Sequence, residues 1–150
     1  MVSFQVMREN MSDGQSLPNK IGYRKLVAAM SELPREFFVG EEQRAYSYSD
    51  KAVEIGVGRF LMEPRVFAGL VQALSPESHE MALDVGCGSG YGTAILAKLC
   101  NTVVGIDSDV QLLDDASALL TSLEIDNAVT IRCQLESGYL SEAPYDLSLI

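Results

Sequence analysis

Tryptophan is absent from these 150 residues, histidine occurs once and cysteine three times. His79 has no neighbouring ligand set, and Cys87, Cys100 and Cys133 lack the close spacing of a zinc site, so no metal is assigned. An odd number of cysteines also argues against a disulfide framework. Small buried thiols in a reducing cytoplasm are the expectation. No stretch approaches the ~18 apolar residues that span a bilayer, and no membrane partner is expected. Residues 1–11 carry Arg8, Glu9 and Asn10 and no long apolar run, so no secretory leader is expected. Basic residues are scarce where they would matter for nucleic acid. Residues 66–150 hold twelve acids against Lys98 and Arg132, residues 1–65 balance, and the formal net charge is −10. Such a surface is a poor match for a phosphate backbone, so nucleic acid is not expected as a partner. What is present is 47% apolar and 21% charged residues, enough for one globular domain with a sizeable core.

The domain reads as two segments, 1–76 and 77–150. In the first, Asp13-Gly14 and Pro18-Asn19 are turn signals. Leu26, Val27, Met30 and Leu33 fall at helical spacing, closed by Pro34. Residues 36–63 read as irregular. Pro64 sits where a proline opens a helix, ahead of Val66, Phe67, Leu70, Val71 and Leu74. From Met81 the pattern alternates. Strands are expected at Met81–Val85, Thr102–Ile106, Val129–Cys133 and Tyr145–Ile150, with helices near 90–99 and 110–123. The second helix should bury Val110, Leu113, Leu120 and Leu123, expose Asp114 and Asp115, and take Asp109 as its N-cap. Strands alternating with helices predict an α/β fold with a parallel sheet.

The run Ala82-Leu83-Asp84-Val85-Gly86-Cys87-Gly88-Ser89-Gly90-Tyr91-Gly92 is the centre of the chain's chemistry. It passes from an apolar strand into a glycine loop and then into a helix at Ala94, Ile95, Leu96 and Leu99. Glycines let the backbone approach a ligand closely, and the helix start offers unpaired N–H groups to it. A dinucleotide fingerprint would need a third glycine at Tyr91 or Thr93, which counts against a nicotinamide oxidoreductase. The spacing Asp84-x-Gly86-x-Gly88-x-Gly90 resembles instead the first motif of the S-adenosylmethionine-dependent methyltransferases. Asp107 closes the next apolar run, seventeen residues after Gly90. A carboxylate there can accept two hydrogen bonds from a ribose diol.

Three further segments narrow the resemblance. Ala28-Ala29-Met30-Ser31-Glu32-Leu33-Pro34-Arg35-Glu36-Phe37-Phe38-Val39 is one. Ile55-Gly56-Val57-Gly58 with Arg59-Phe60-Leu61-Met62-Glu63-Pro64 is the second, and Ala143-Pro144-Tyr145-Asp146 is the third. Together with the glycine loop they resemble the protein-L-isoaspartate O-methyltransferases, in order from about residue 8 to residue 150. The resemblance implies a Rossmann-like methyltransferase fold whose sheet continues beyond this chain, so a truncated member is expected, with an apolar sheet edge prone to associate. It also implies transfer of a methyl group from S-adenosyl-L-methionine to the carboxylate of an isoaspartyl residue in a damaged protein or peptide, releasing S-adenosyl-L-homocysteine in the cytoplasm. The oligomeric state stays open.

The resemblance assigns cofactor contacts to Ile55, Gly56, Gly58, Asp84, Gly86, Gly88, Gly90, Asp107, Ser108, Gln134 and Leu135. Asp84 has two readings: it meets the methionine ammonium, or it pins the glycine loop by accepting backbone N–H bonds. Two positions depart from the family. Its Thr-Ile-Ser-x-Pro is here Phe60-Leu61-Met62-Glu63-Pro64, so the serine that orients the substrate carboxylate is Met62, whose thioether donates no hydrogen bond. Its Gly-Asp-Gly is here Cys133-Gln134-Leu135, and the glutamine oxygen still accepts from an adenine amine. Met62 and Phe60 read either as a locally repacked core or as a lost acceptor site. A non-catalytic module that holds cofactor or protein is therefore the alternative to the enzyme.

Overall fold

The computed structural model describes residues 2–13 and 23–150. Gly14, Pro18 and Asn19, which carry the expected early turns, lie outside the described residues. The chain divides into two units, Met1–Ser75 and Pro76–Ile150.

The first unit holds helices α1 (Phe4–Met11), α2 (Arg24–Glu32) and α3 (Pro64–Leu74), and a hairpin of β1 (Val53–Gly56) and β2 (Arg59–Leu61). Neither α1 nor the hairpin was expected from the sequence. The polar α1 is secured from outside: Arg8 bonds the Glu32 carbonyl, the Tyr48 hydroxyl and the Glu36 carboxylate, and Met11 is buried. The hairpin strands have only four and three residues, too few for alternation to show. Helix α2 buries Leu26, Ala29 and Met30, and Val27 is half-buried. Helix α3 begins at Pro64, as expected, but buries Phe67, Ala68 and Val71 and leaves Val66 and Leu70 exposed.

The signature Pro34-Arg35-Glu36 has a structural task in this unit. Arg35 is fully buried; its Nε donates to the Ser47 carbonyl at 2.6 Å and its NH2 to the Met62 carbonyl at 2.6 Å. Charge-assisted bonds of this kind fix two distant backbone segments at once. Glu36 accepts from Arg8 at 3.1 Å and from the Tyr48 hydroxyl. Burial and that bond to Glu36 push the Tyr48 hydroxyl well above its ordinary pKa. Arg44 lies over the Phe37 ring at 5.7 Å.

The second unit is a parallel sheet of β3 (Met81–Val85), β4 (Thr102–Asp107), β5 (Ala128–Arg132) and β6 (Leu147–Leu149), with α4 (Tyr91–Leu99) and α5 (Val110–Ser122) as crossovers. The order is β5-β4-β3-β6. Strand β5 begins one residue earlier than expected, and β6 is half the expected length. Asp146 explains the short strand: its Oδ2 accepts the Met81 N–H at 2.8 Å and its N–H bonds the Met81 carbonyl at 2.9 Å. These bonds set the β6 register, Ala82 opposite Leu147. Helix α5 starts on the expected cap, Asp109 Oδ1 accepting the Leu112 N–H at 3.1 Å. It buries Leu112, Leu113, Ala116 and Leu120; Val110, expected inside, is exposed, and Leu123 is half-buried. Val110 opens the first turn, where the helix has not yet come down onto the sheet. Leu83, Val104 and Ile106 form a core on one sheet face, with Ile131, Cys133, Leu135, Tyr139 and Tyr145 packed against it. Cys87 and Cys100 are buried; Cys133 is only half-buried.

Candidate functional site

Strand β3 is where the sheet order reverses: the chain leaves it towards β4 and β5 on one side and returns to β6 on the other. Outside the carboxyl end of such a strand the two crossovers part, and a crevice opens there. The glycine loop Gly86–Gly90 occupies that place, between β3 and α4.

The loop is held from beneath. Gly86 and Cys87 N–H both donate to the Ile106 carbonyl, at 2.9 and 3.0 Å. Gly88 N–H donates to Asp107 Oδ2 at 2.8 Å, and Asp107 Oδ1 accepts the Asp109 N–H at 3.0 Å. The loop-pinning carboxylate is thus Asp107, the residue expected at the ribose, and not Asp84. Asp107 has no exposed surface, and Ser108 beside it is exposed.

Asp84 is also buried, with a different environment. Its Oδ2 accepts the Thr93 hydroxyl at 2.7 Å. Among the described residues no lysine, arginine or histidine acts on it, and Asp107 is a second carboxylate nearby. Burial, reinforced by the charge of Asp107 and opposed by bonds from the Thr93 hydroxyl and backbone N–H, pushes its pKa up to about 6. A strand-end carboxylate held with so little compensation marks a functional site more often than a structural one.

The glycines divide by purpose. Gly86 and Gly88 take φ of 73° and 55°, in the left-handed region that suits glycine. A Cβ at Gly90 would meet Ala116 Cβ at 3.0 Å, one at Gly92 would meet Asp84 Oδ2 at 2.9 Å, and one at Gly105 would meet Thr93 Oγ1 at 2.6 Å. Those three glycines are required by packing of α4 against α5, β3 and β4. Gly105 and Thr93 were not singled out from the sequence. A glycine inside a buried β-strand was their one available signal, since it marks close approach of another chain segment.

Ser89 is a further residue that sequence reasoning passed over. Its Oγ is buried within the loop and has no hydrogen-bond partner among the described residues. An orphaned hydroxyl beside the N–H groups of the first turn of α4 suits a polar ligand group. Leu135 Cδ1 lies 3.8 Å from where a Gly86 Cβ would stand, so Leu135 borders the loop. Gln134 next to it is exposed.

The second unit therefore brings Asp84, Gly86, Gly88, Gly90, Asp107, Ser108 and Leu135 around one strand end. Ile55 and Gly56 belong to β1 of the first unit, and Gly58 to the hairpin turn, with φ of 68°. Phe60, for which a repacked core was one of two readings, is 59% exposed, while Met62 is half-buried with its carbonyl held by Arg35. Among the described residues no cluster of His, Cys, Asp and Glu suits a metal ion, and no helix is long and apolar enough to cross a membrane.

Comparison with known proteins gives a consistent result. A protein-L-isoaspartate O-methyltransferase 1 of Syntrophobacter fumaroxidans is 32% identical over 150 residues, covering 100% of this chain and 70% of that protein. A protein-L-isoaspartate O-methyltransferase of Herpetosiphon aurantiacus is 34% identical, covering 95% of this chain and 63% of the relative. This chain thus spans roughly two thirds of the relatives it matches. Among solved structures, a protein-L-isoaspartate O-methyltransferase superposes with a TM-score of 0.84 at 19% identity, over 94% of this chain and 46% of that one. A Plasmodium falciparum structure described as of the same kind, in complex with S-adenosyl-L-homocysteine, gives 0.79 at 21%, over 94% and 71%. These two establish the Rossmann-like methyltransferase fold. The family model for protein-L-isoaspartate(D-aspartate) O-methyltransferase (PCMT) matches residues 15–150. A match of that extent, on a sheet and loop already placed by geometry, makes this chain a member of the protein-L-isoaspartate(D-aspartate) O-methyltransferase family.

Proposed function

We propose that the glycine loop binds S-adenosyl-L-methionine, and that the protein carrying this chain transfers its methyl group to the carboxylate of isoaspartyl residues in damaged proteins. Asp84 carries the reading. It is a buried carboxylate at the sheet's reversal point whose donors are the hydroxyl and the backbone N–H of Thr93, with no basic group among the described residues acting on it. The positive charge it lacks is what the ammonium of the cofactor's methionine portion brings. The orphaned Ser89 Oγ and the N–H groups of α4 are donors for the adjoining carboxylate.

The remaining assignments follow the same lines. Gly86 and Gly88 let the backbone pass close to the methionine portion. Asp107, a carboxylate at the end of β4 beside Ser108, is the acceptor for a ribose diol. Gln134 and Leu135 flank adenine. Ile55, Gly56 and Gly58 lie on the substrate side. The bound cofactor supplies an electrophilic methyl on a sulfonium, which is a good leaving group. Little acid–base work is then required of the protein, whose contribution is positioning and exclusion of water. Such an enzyme works in the cytoplasm on protein substrates.

A second reading has its own observation. At Met62 no side-chain donor exists for a substrate carboxylate, and Phe60 faces solvent. That favours a module that binds cofactor and protein without turnover. Two experiments decide. Calorimetric titration with S-adenosyl-L-homocysteine should show one-to-one binding, weakened about tenfold by Asp84→Asn; a folded chain that does not bind refutes the cofactor assignment. Release of S-adenosyl-L-homocysteine with an isoaspartyl peptide separates enzyme from module. The double substitution Met62→Ser, Phe60→Thr should raise that release, and a double variant no better than the parent removes the account of Met62.

A further inference from the structure

The β1–β2 hairpin presents an outer face that nothing in its own unit covers. In the antiparallel register Glu54 stands directly opposite Phe60. Side chains at such a pair are about 5 Å apart at Cβ. Val53, one position along, is 4% exposed and faces inward. Phe60 is 59% exposed, and Val57 at the turn is fully exposed. The Glu54 carboxylate is exposed and has no ion-pair partner among the described residues. The base of the hairpin is fixed: Arg35 clamps the carbonyl of Met62, the residue after β2, at 2.6 Å. This is a rigidly rooted ring and aliphatic side chain with a free carboxylate beside them.

The combination selects its occupant. An apolar side chain laid on Phe60 would desolvate Glu54 without pairing it, which is costly. An acidic or phosphorylated one would be repelled. A lysine or arginine satisfies both halves, its aliphatic stem on the apolar surface and its cationic head on ring and carboxylate. We propose that the outer face of this hairpin docks a lysine or arginine side chain of the client polypeptide, its stem across Val57 and Phe60 and its head on Glu54. The proposal rests on the isoaspartyl reading only for the word client, because the surface itself is defined without it.

The test is fluorescence anisotropy with labelled peptides that differ at one position, two residues from an isoaspartate, carrying lysine, leucine or glutamate there. A parallel set has ordinary aspartate in place of isoaspartate. At low salt the lysine peptide should bind roughly five- to tenfold tighter than the glutamate peptide, with leucine between. That ratio should fall towards one in Glu54→Gln and in Phe60→Ser. The same lysine preference in the aspartate set shows that the hairpin acts whether or not isoaspartate is recognised, so failure of the functional reading leaves this result standing. Equal binding of lysine and glutamate peptides, binding of neither, or a preference untouched by both substitutions overturns the proposal. Self-association of the chain lost in Phe60→Ser, without peptide discrimination, overturns it too, assigning the face to a second copy. Should Phe60→Ser fail to fold by circular dichroism, Glu54→Gln decides alone.

Discussion

Replacing Asp84 by asparagine removes a buried charge whose donors are the hydroxyl and the backbone N–H of Thr93. The folded carboxyl titrates at about 6 against an ordinary value of 3.8. The folded chain therefore holds this proton more tightly than the unfolded one. Its contribution to stability is fully present below pH 3.8 and is lost as the pH rises through 6. At neutral pH the ionised group costs the fold about 3 kcal/mol, from two pKa units at 1.36 kcal/mol each. Asparagine has the same shape and can still accept the Thr93 hydroxyl, so Asp84→Asn should be more stable than the parent at pH 7, by about 2 kcal/mol after allowance for a weaker bond. Between pH 7 and pH 5 the parent should gain about 1 kcal/mol relative to the variant. Urea unfolding followed by far-ultraviolet circular dichroism at pH 5, 6 and 7 measures both, and hydrogen exchange at β3 assigns the change to the second unit. Comparing the two proteins cancels the opposite slopes of the other carboxylates. Parallel pH profiles, or a variant less stable at pH 7, would falsify the argument that Asp84 is kept at a cost to folding. The same variant should bind S-adenosyl-L-homocysteine less tightly, because the cost is offset only when a cation arrives.

Arg35→Met should destabilise the first unit by about 3 kcal/mol, as the buried Ser47 carbonyl and the half-buried Met62 carbonyl lose charge-assisted bonds; an unchanged urea midpoint would show that the clamp on Ser47 and Met62 is dispensable. Gly92→Ala places a methyl 2.9 Å from Asp84 Oδ2, and should lower stability by about 1–3 kcal/mol and raise the Asp84 pKa further, both absent if α4 shifts freely. Gly58→Ala meets no atom within 4 Å but retains φ of 68°. It should cost about 1 kcal/mol through backbone strain alone, while Gly40→Ala, also in open space and without that φ, should not; equal effects on the thermal midpoint would contradict the distinction.

Parts of this protein are written locally in the chain. Alternation of apolar strands with helical runs after Met81 is enough for a parallel α/β unit, because each element must bury one face and the periods differ. Pro64 and Asp109 act within a turn of their own positions, so the starts of α3 and α5 are legible too. The glycine spacing and the motifs around Arg35 and Asp146 place the chain in its family. The tasks of those residues are not local. Arg35 reaches residues 47 and 62, Asp146 reaches Met81, and Asp107 reaches back to Gly88. Which of two strand-end carboxylates pins the loop, and which is left uncompensated, depends on the adjacency of β3 and β4 and on where Thr93 falls on α4. Helix α1 and the β1–β2 hairpin are too short or too polar to announce themselves, and exist through bonds to residues far along the chain. Sequence by itself determined the elements and the chemistry available at the loop. The tertiary structure decided what the charge on Asp84 costs and which groups can offset it, because desolvation and hydrogen bonding are properties of neighbours in space.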